Sequence, residues 1–164
     1  MITTRRARLV DIPLLVTLER EFRRDEREIV LKENLKLKPY LPRRSGRDIR
    51  IIAKWMRKLV RSKNAIVFIA EADSRPVGFS TVSIETGHPL SLPKRYGFIG
   101  YRFVRRQYRG KGISSLMMKE ALAWFAKRKI KHVGLTVIKD NRRAHAIWRK
   151  WGFYDFLVVT WKLD

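Results

Sequence analysis

The segment Val104-Arg105-Arg106-Gln107-Tyr108-Arg109-Gly110-Lys111-Gly112-Ile113-Ser114-Ser115 restricts the fold more than any other part of the chain. Before it, Tyr96 to Val104 is rich in aromatic and β-branched residues and predicts a strand, with Gly97 and Gly100 as candidate bulge positions. After it, Ile113, Leu116, Met117, Ala121, Trp124 and Phe125 recur at helical spacing within Gly110 to Lys129. A strand that passes through two glycines and two serines into a helix brings bare backbone to the helix's amino end. Unpaired N–H groups and the positive end of the macrodipole favour an anion there, and a diphosphate needs several such donors converging with no side chain in the way. Arg109 and Lys111 add positive charge at the same place. Two other phosphate loops fail on their own mechanics. A Walker loop needs Lys after its last glycine, and Gly112 is followed by Ile113. A dinucleotide fingerprint needs a third glycine where Ser115 stands and an acidic residue about 20 positions later, which is missing.

Strands and helices alternate around this unit. Ile2 to Arg8 reads as a strand and precedes Asp11, expected to cap a helix with Pro13 in its first turn. That helix carries Leu14, Leu15, Leu18 and Phe22, and its charged continuation from Arg23 to Lys38 stops at Pro39 and Pro42. Ser45 and Gly46 break the chain before a second helix, Asp48 to Arg61, with Ile51, Ile52, Trp55, Met56 and Leu59 on one face. Ala65 to Ala70 and Val77 to Ile84 form a hairpin around Asp73-Ser74-Arg75-Pro76. A loop containing His88, Pro89 and Pro93 leads back to the Tyr96 strand. Later, Val133, Leu135 and Val137 alternate as a strand, Asn141 caps a helix carrying Ala144, Ile147, Trp148 and Trp151, and Gly152 ends it. Phe153 to Leu163 reads as a closing strand. The order is β-α-α-β-β-β-α-β-α-β, an α/β chain with a mixed sheet. Residues 1–164 read as a single domain, because no repeat, linker or low-complexity tract divides them.

Composition narrows the function classes. No run of about 18 uncharged apolar residues exists, and Arg5, Arg6 and Arg8 interrupt any signal-peptide core, so a cytoplasmic protein with no membrane span is expected. With no Cys and only the scattered His88, His132 and His145, neither a metal centre nor a Cys nucleophile is expected. The 38 Lys and Arg against 15 Asp and Glu give a formal charge of +23. Spread from Arg5 to Lys162, this charge fits a basic globule with a polyanionic partner such as nucleic acid, an acidic lipid surface or a phosphate-rich cofactor; it fits a source with a basic proteome equally.

The loop and the last helix together resemble the GCN5-related N-acetyltransferase (GNAT) superfamily. That family's loop opens with Gln or Arg, carries a central Gly and ends on a small residue, after a strand ending in Val. Arg109-Gly110-Lys111-Gly112-Ile113-Ser114 matches with Ser in the last place and keeps the usual spacing from Val104 and to Met117; Gln107 to Gly112 matches in a second frame. A second signature appears as Asn141, Ala144, Trp148 and Gly152-Phe153, and the resemblance covers essentially the whole chain.

The resemblance implies the GNAT fold, with acetyl-CoA as cosubstrate in a cleft where the central sheet splays between the strand ending at Val104 and the strand Val133 to Ile138, the Gly100 bulge helping to open it. Main-chain groups near Phe103 and Val104 would pair with the pantetheine arm. The N–H groups of Arg109, Gly110, Lys111, Gly112, Ile113 and Ser114 would hold the pyrophosphate, with Arg109 and Lys111 near the 3′-phosphate. Asn141 would meet the pantetheine or serve only as a cap. The implied reaction is direct attack of a primary amine on the thioester in a ternary complex, the amine belonging to a protein N-terminus, a lysine or a small molecule. Where many members carry a Tyr as acid, this chain has Trp148, whose indole N–H donates a hydrogen bond but no proton. A thiol pKa near ~8.5 lets the thiolate leave unaided. Tyr154 and Tyr101 are the alternative acids, although both read first as core residues. For the base, Glu85 is the nearest acidic candidate and His88 stands in the adjoining loop. The two helices between Asp11 and Arg61 would shape the acceptor pocket, and their basic residues favour an acidic, phosphate-bearing or nucleic-acid-associated acceptor. A CoA-binding or nucleic-acid-associated module with little turnover is the alternative, and pairing into a homodimer stays open.

Overall fold

The computed structural model describes residues 1–33, 35–41, 46–87 and 93–156. Its centre is a hairpin of Ala65–Ala72 (β2) and Arg75–Thr86 (β3). Asp73 and Ser74 both take positive φ, 49° and 62°, the left-handed pair that a two-residue hairpin turn demands. Residues 65–70 are all buried, a continuous rather than alternating run, because both faces of the sheet are covered. Ile2–Arg6 (β1) pairs antiparallel with β2, and Arg95–Val104 (β4) pairs antiparallel with β3. Val133–Leu135 (β5) adds to β4 in parallel, giving the sheet order β1-β2-β3-β4-β5.

Two pairs of helices cover the two faces. Ile12–Glu33 (α1) and Gly46–Arg61 (α2) pack Leu15, Leu18, Ile52 and Met56 against Val67, Ile69, Phe79 and Phe103. On the opposite face Ile113–Ala126 (α3) sets Met118, Ala121 and Phe125 against Ile66, Phe68, Val82 and Ile99, and Arg142–Lys150 (α4) brings Trp148 to the edge of that cluster. Val104, Ile113 and Met117 form a third cluster with Ala70 and Val77, which pins the start of α3 to the sheet.

Several expectations shift. Asp11 does not cap α1. It is buried, accepts from both terminal nitrogens of Arg5 at 2.9 Å and from the N–H of Arg8 at 2.7 Å, and so ties β1 to a 3-10 turn, Leu9–Asp11, that enters the helix. That guanidinium holds the Asp11 carboxyl below the usual range. Ile51 is 60% exposed rather than part of the buried face of α2. Met118 is fully buried although the spacing had pointed to Leu116. Helix α3 begins at Ile113, because Gly110 and Gly112 are left-handed, and β5 is half the expected length. Residues 153–156 are not a strand; the rest of the predicted closing strand, with Pro42, Ser45, His88 and Pro89, lies outside the described residues.

Candidate functional site

The sheet opens next to α3. The parallel pairing of β4 with β5 ends at Ile99 and Leu135, while β4 continues to Val104 paired, among the described residues, only with β3. At the same level the β3–β4 register slips between Ser80 and Val82: Thr81 turns its Oγ1 to the N–H of Tyr101 at 2.8 Å. A side chain at Gly100 would put its Cβ 2.5 Å from that oxygen, so glycine there is required by close approach. The expected bulge is therefore present, and it lies at the residue where β4 loses its neighbour.

Past Val104 the chain makes a 3-10 turn, Arg106–Tyr108, and then the two left-handed glycines, φ 81° at Gly110 and 77° at Gly112, before α3. The first helical hydrogen bond runs from Leu116 N–H to Gly112 C=O. Among the described residues the N–H groups from Gly110 to Ser115 donate to nothing. Nothing lies within 4 Å of a Cβ built on either glycine, so both are dictated by φ and the space above them is open. Six free donors at the amino end of a 14-residue helix form an anion nest.

The remaining predicted residues divide. Lys111 stays at the nest, its Nζ 5.5 Å from the ring centroid of Tyr108. Arg109 turns away: its Nε donates to the carbonyl of Val104 at 2.8 Å, its Nη2 pairs with Asp25 of α1, and its own N–H is taken by Arg106. Phe103 points to the α1 face, beneath that guanidinium. Asn141 acts as the cap of α4, accepting from the Ala144 N–H at 3.1 Å. Trp148 stacks edge-on with Phe153 and carries the guanidinium of Arg102 4.8 Å from its centroid. Tyr154 is 89% exposed, contrary to the core reading, whereas Tyr101 packs among Phe22, Trp55 and the Arg23 guanidinium as expected. Glu85 stands exposed at the end of β3 opposite Tyr96, accepting from Ser83 at 2.6 Å, and so lies beyond the parallel pairing on the side away from the nest.

A cleft of about 260 Å³ lies between α1 and α2, lined by Arg20, Arg23, Arg24, Arg27 and Asp48 with Ile51 and Ile52. This explains the exposed Ile51. Arg23 is paired with Glu19 and donates to the Tyr101 hydroxyl at 3.1 Å, linking the cleft to β4. Beside Arg23 stands Glu26, which the sequence reading passed over. Burial raises its carboxyl to about 7, with Arg23 opposing and Glu19 assisting. Its only sequence signal is an acid within the helical stripe that Glu19 and Phe22 begin.

The Glu26 shift has a consequence for stability. An unfolded glutamate titrates near ~4.3, so between there and about 7 the native state holds more protons and stability falls as the pH rises. Glu26→Gln is expected to match the wild type below about pH 4 and to exceed it at about pH 8 by roughly 2–3 kcal/mol. Urea denaturation at the two pH values measures this, and a difference that does not change with pH would contradict it.

Comparison with known proteins agrees with this geometry. The sequence profile of the Acetyltransferase (GNAT) family matches residues 20–153. An uncharacterized N-acetyltransferase of Archaeoglobus fulgidus is 34% identical over 99 residues, which span 60% of this chain and 64% of that relative, just under two thirds of its length. Among solved structures, a predicted acetyltransferase with acetyl-CoA from Clostridium acetobutylicum superposes with a TM-score of 0.72 at 20% identity, covering 98% of this chain and 96% of its own. An aminoglycoside 6′-N-acetyltransferase from Acinetobacter baumannii superposes with a TM-score of 0.75 at 16% identity, covering 100% and 99%. With a family profile matched over most of its length and the mixed, opened sheet of these folds, the chain belongs to the GNAT acetyltransferase family.

Proposed function

We propose that the chain transfers an acetyl group from acetyl-CoA, its cosubstrate, to an amine that enters through the cleft between α1 and α2. The observation that carries this reading is the row of unengaged N–H groups from Gly110 to Ser115 at the mouth of the opening between β4 and β5. Acetyl-CoA supplies an acyl group already activated as a thioester. The N–H groups of Gly110, Lys111, Gly112, Ile113 and Ser114 hold its pyrophosphate, and the Lys111 ammonium adds charge for the phosphates. The free edge of β4 at Phe103 and Val104 guides the arm inward, with Trp148 as the facing wall. Asn141 has its oxygen committed to the helix cap, which leaves its amide N–H₂ to face the arm. Arg109 contributes by bracing the loop on Asp25 rather than by reaching a phosphate.

The amine must lose a proton as it reacts. Glu26 suits that task better than Glu85, because it is half-buried next to the cleft-lining Arg23 and its carboxyl is raised to about 7, whereas Glu85 is exposed at the far end of β3. The arginines set the acceptor's character: Arg24 and Arg27 form no ion pair with another described residue, so a carboxylate or phosphate near the amine completes them. Calorimetric titration with acetyl-CoA and CoA, followed by acetylation of peptides with acidic or basic amino ends and of amines bearing phosphate, tests the reading. Failure of the full chain to bind either CoA form would end it. Arg24→Glu combined with Arg27→Glu is expected to raise KM for acidic acceptors about tenfold or more while leaving CoA affinity unchanged. Equal use of acidic and basic peptides by both proteins would remove the charge argument.

A further inference from the structure

Arg102 leaves β4 just past the residue where β5 stops, onto the face covered by α3 and α4. Its Nη2 meets the Met118 sulfur at 3.3 Å, a weak acceptor, and its guanidinium lies over the Trp148 ring. Its Nε and Nη1 are shielded from solvent and have no partner among the described residues. Arg5, Arg23, Arg105, Arg106 and Arg109 each hold a carboxylate; Arg102 holds none, and burial lowers its guanidinium to about 10. A shielded cation with unmade hydrogen bonds is costly, and such groups persist where something else completes them.

The position says what that is. A ligand anchored at the nest and threaded along the free edge of β4 passes Val104 and then, two residues inward, the Arg102 guanidinium, with Trp148 as the far wall. An amide carbonyl of the arm would satisfy one N–H and leave the charge unpaired. The sulfur is the atom of that arm which becomes anionic away from the pyrophosphate.

We infer that Arg102 receives the CoA sulfur as it departs, its free N–H groups donating to the thiolate at a site where Trp148 has no proton to give. This rests on the acetyl-CoA reading of the nest. The amine nitrogen bonds to the thioester carbonyl carbon, the C–S bond breaks, and sulfur leaves with the bonding pair. The amine's proton passes to the base and then to solvent, and Arg102 keeps its own protons throughout, acting by charge and hydrogen bonding. The role is thiolate stabilisation in place of general-acid catalysis.

The test needs no acceptor. Binding of CoA and of desulfo-CoA to the full chain is measured by calorimetry between about pH 6.5 and 8.5, below and at the ~8.5 pKa of a free thiol. For the wild type, affinity for CoA should rise with pH relative to desulfo-CoA, by about tenfold for each unit by which the bound thiol's pKa is lowered. Titratable groups on the surrounding elements include His145 of α4, whose Nδ1 faces Asp155 at 3.6 Å, and Lys111 at the nest; Arg102→Met keeps both, so the comparison of wild type with that variant isolates the guanidinium. Arg102→Met should bind desulfo-CoA like the wild type, lose the pH-dependent preference for CoA, and melt at a higher temperature, since an orphaned charge is gone. Arg102→Lys should keep part of the preference. If the wild type binds both ligands with the same pH course, or Arg102→Met keeps the preference, the inference is wrong while the CoA site stands. If the wild type binds neither ligand, the site reading itself falls and takes the inference with it.

Discussion

Gly112→Val is expected to lower acetyl-CoA affinity by at least about 30-fold while leaving a cooperative fold, because a β-branched residue cannot hold the φ of 77° found there. The left-handed region costs an ordinary residue about 1–2 kcal/mol, and the chain can relieve this by rotating out of it. That rotation turns the N–H groups of Gly112 and Ile113 away from the point on which the nest converges, so the loss in binding exceeds the strain itself. Open space above the glycine means that no clash with the protein contributes. Gly112→Asn is the control: asparagine tolerates the left-handed region, so it should keep most of the affinity. Titration calorimetry with circular dichroism on the same samples decides, and Val and Asn variants that bind alike would show that φ at this position does not matter.

Asp25→Ala is expected to destabilise the protein by about 2–3 kcal/mol and to lower its melting temperature by roughly 4–12 °C. Asp25 is buried on α1, its side chain 11% exposed, and its two oxygens take Arg106 and Arg109. Removing it leaves the Arg109 guanidinium, packed over Phe103, facing no carboxylate. Arg106 is 60% exposed and regains water, which is why the figure falls below that of a fully buried pair. Glu28, which also meets Arg106 but is half exposed, provides the contrast: Glu28→Ala should change stability by less than about 1 kcal/mol. Because Asp25 braces the loop that carries the nest, its loss should also weaken CoA binding. A melting temperature within about 2 °C of wild type would show that α1 does not anchor the loop.

Local chemistry is what made the site legible before the fold was known. Gly110 and Gly112 report a backbone requirement through their identity, since other residues rarely take positive φ, and the apolar spacing from Ile113 onward reports the helix whose amino end they expose. Gly100 signalled the bulge for a different reason, since a Cβ there would sit 2.5 Å from the Thr81 Oγ1. Side-chain direction is different in kind. Arg109 and Lys111 are two residues apart and equally basic, yet one is drawn to Asp25, 84 residues away in the chain, and the other stays at the nest. Glu26 and Glu85 are the same residue type, and desolvation in the assembled fold separates them.

The order of elements through the last helix, the glycine-led anion nest and the GNAT family were determined by the sequence alone, because each rests on backbone geometry and periodicity within about 15 residues. Only the tertiary structure decided that β5 stops at Leu135 while β4 runs on, that four arginines line the α1–α2 cleft, and that the Nε and Nη1 of Arg102, stacked on Trp148, are shielded with no partner among the described residues. Those depend on which side chains meet across long loops and on how much water is excluded between them. Pairing and desolvation are properties of the assembled packing, and no local pattern of residues encodes them.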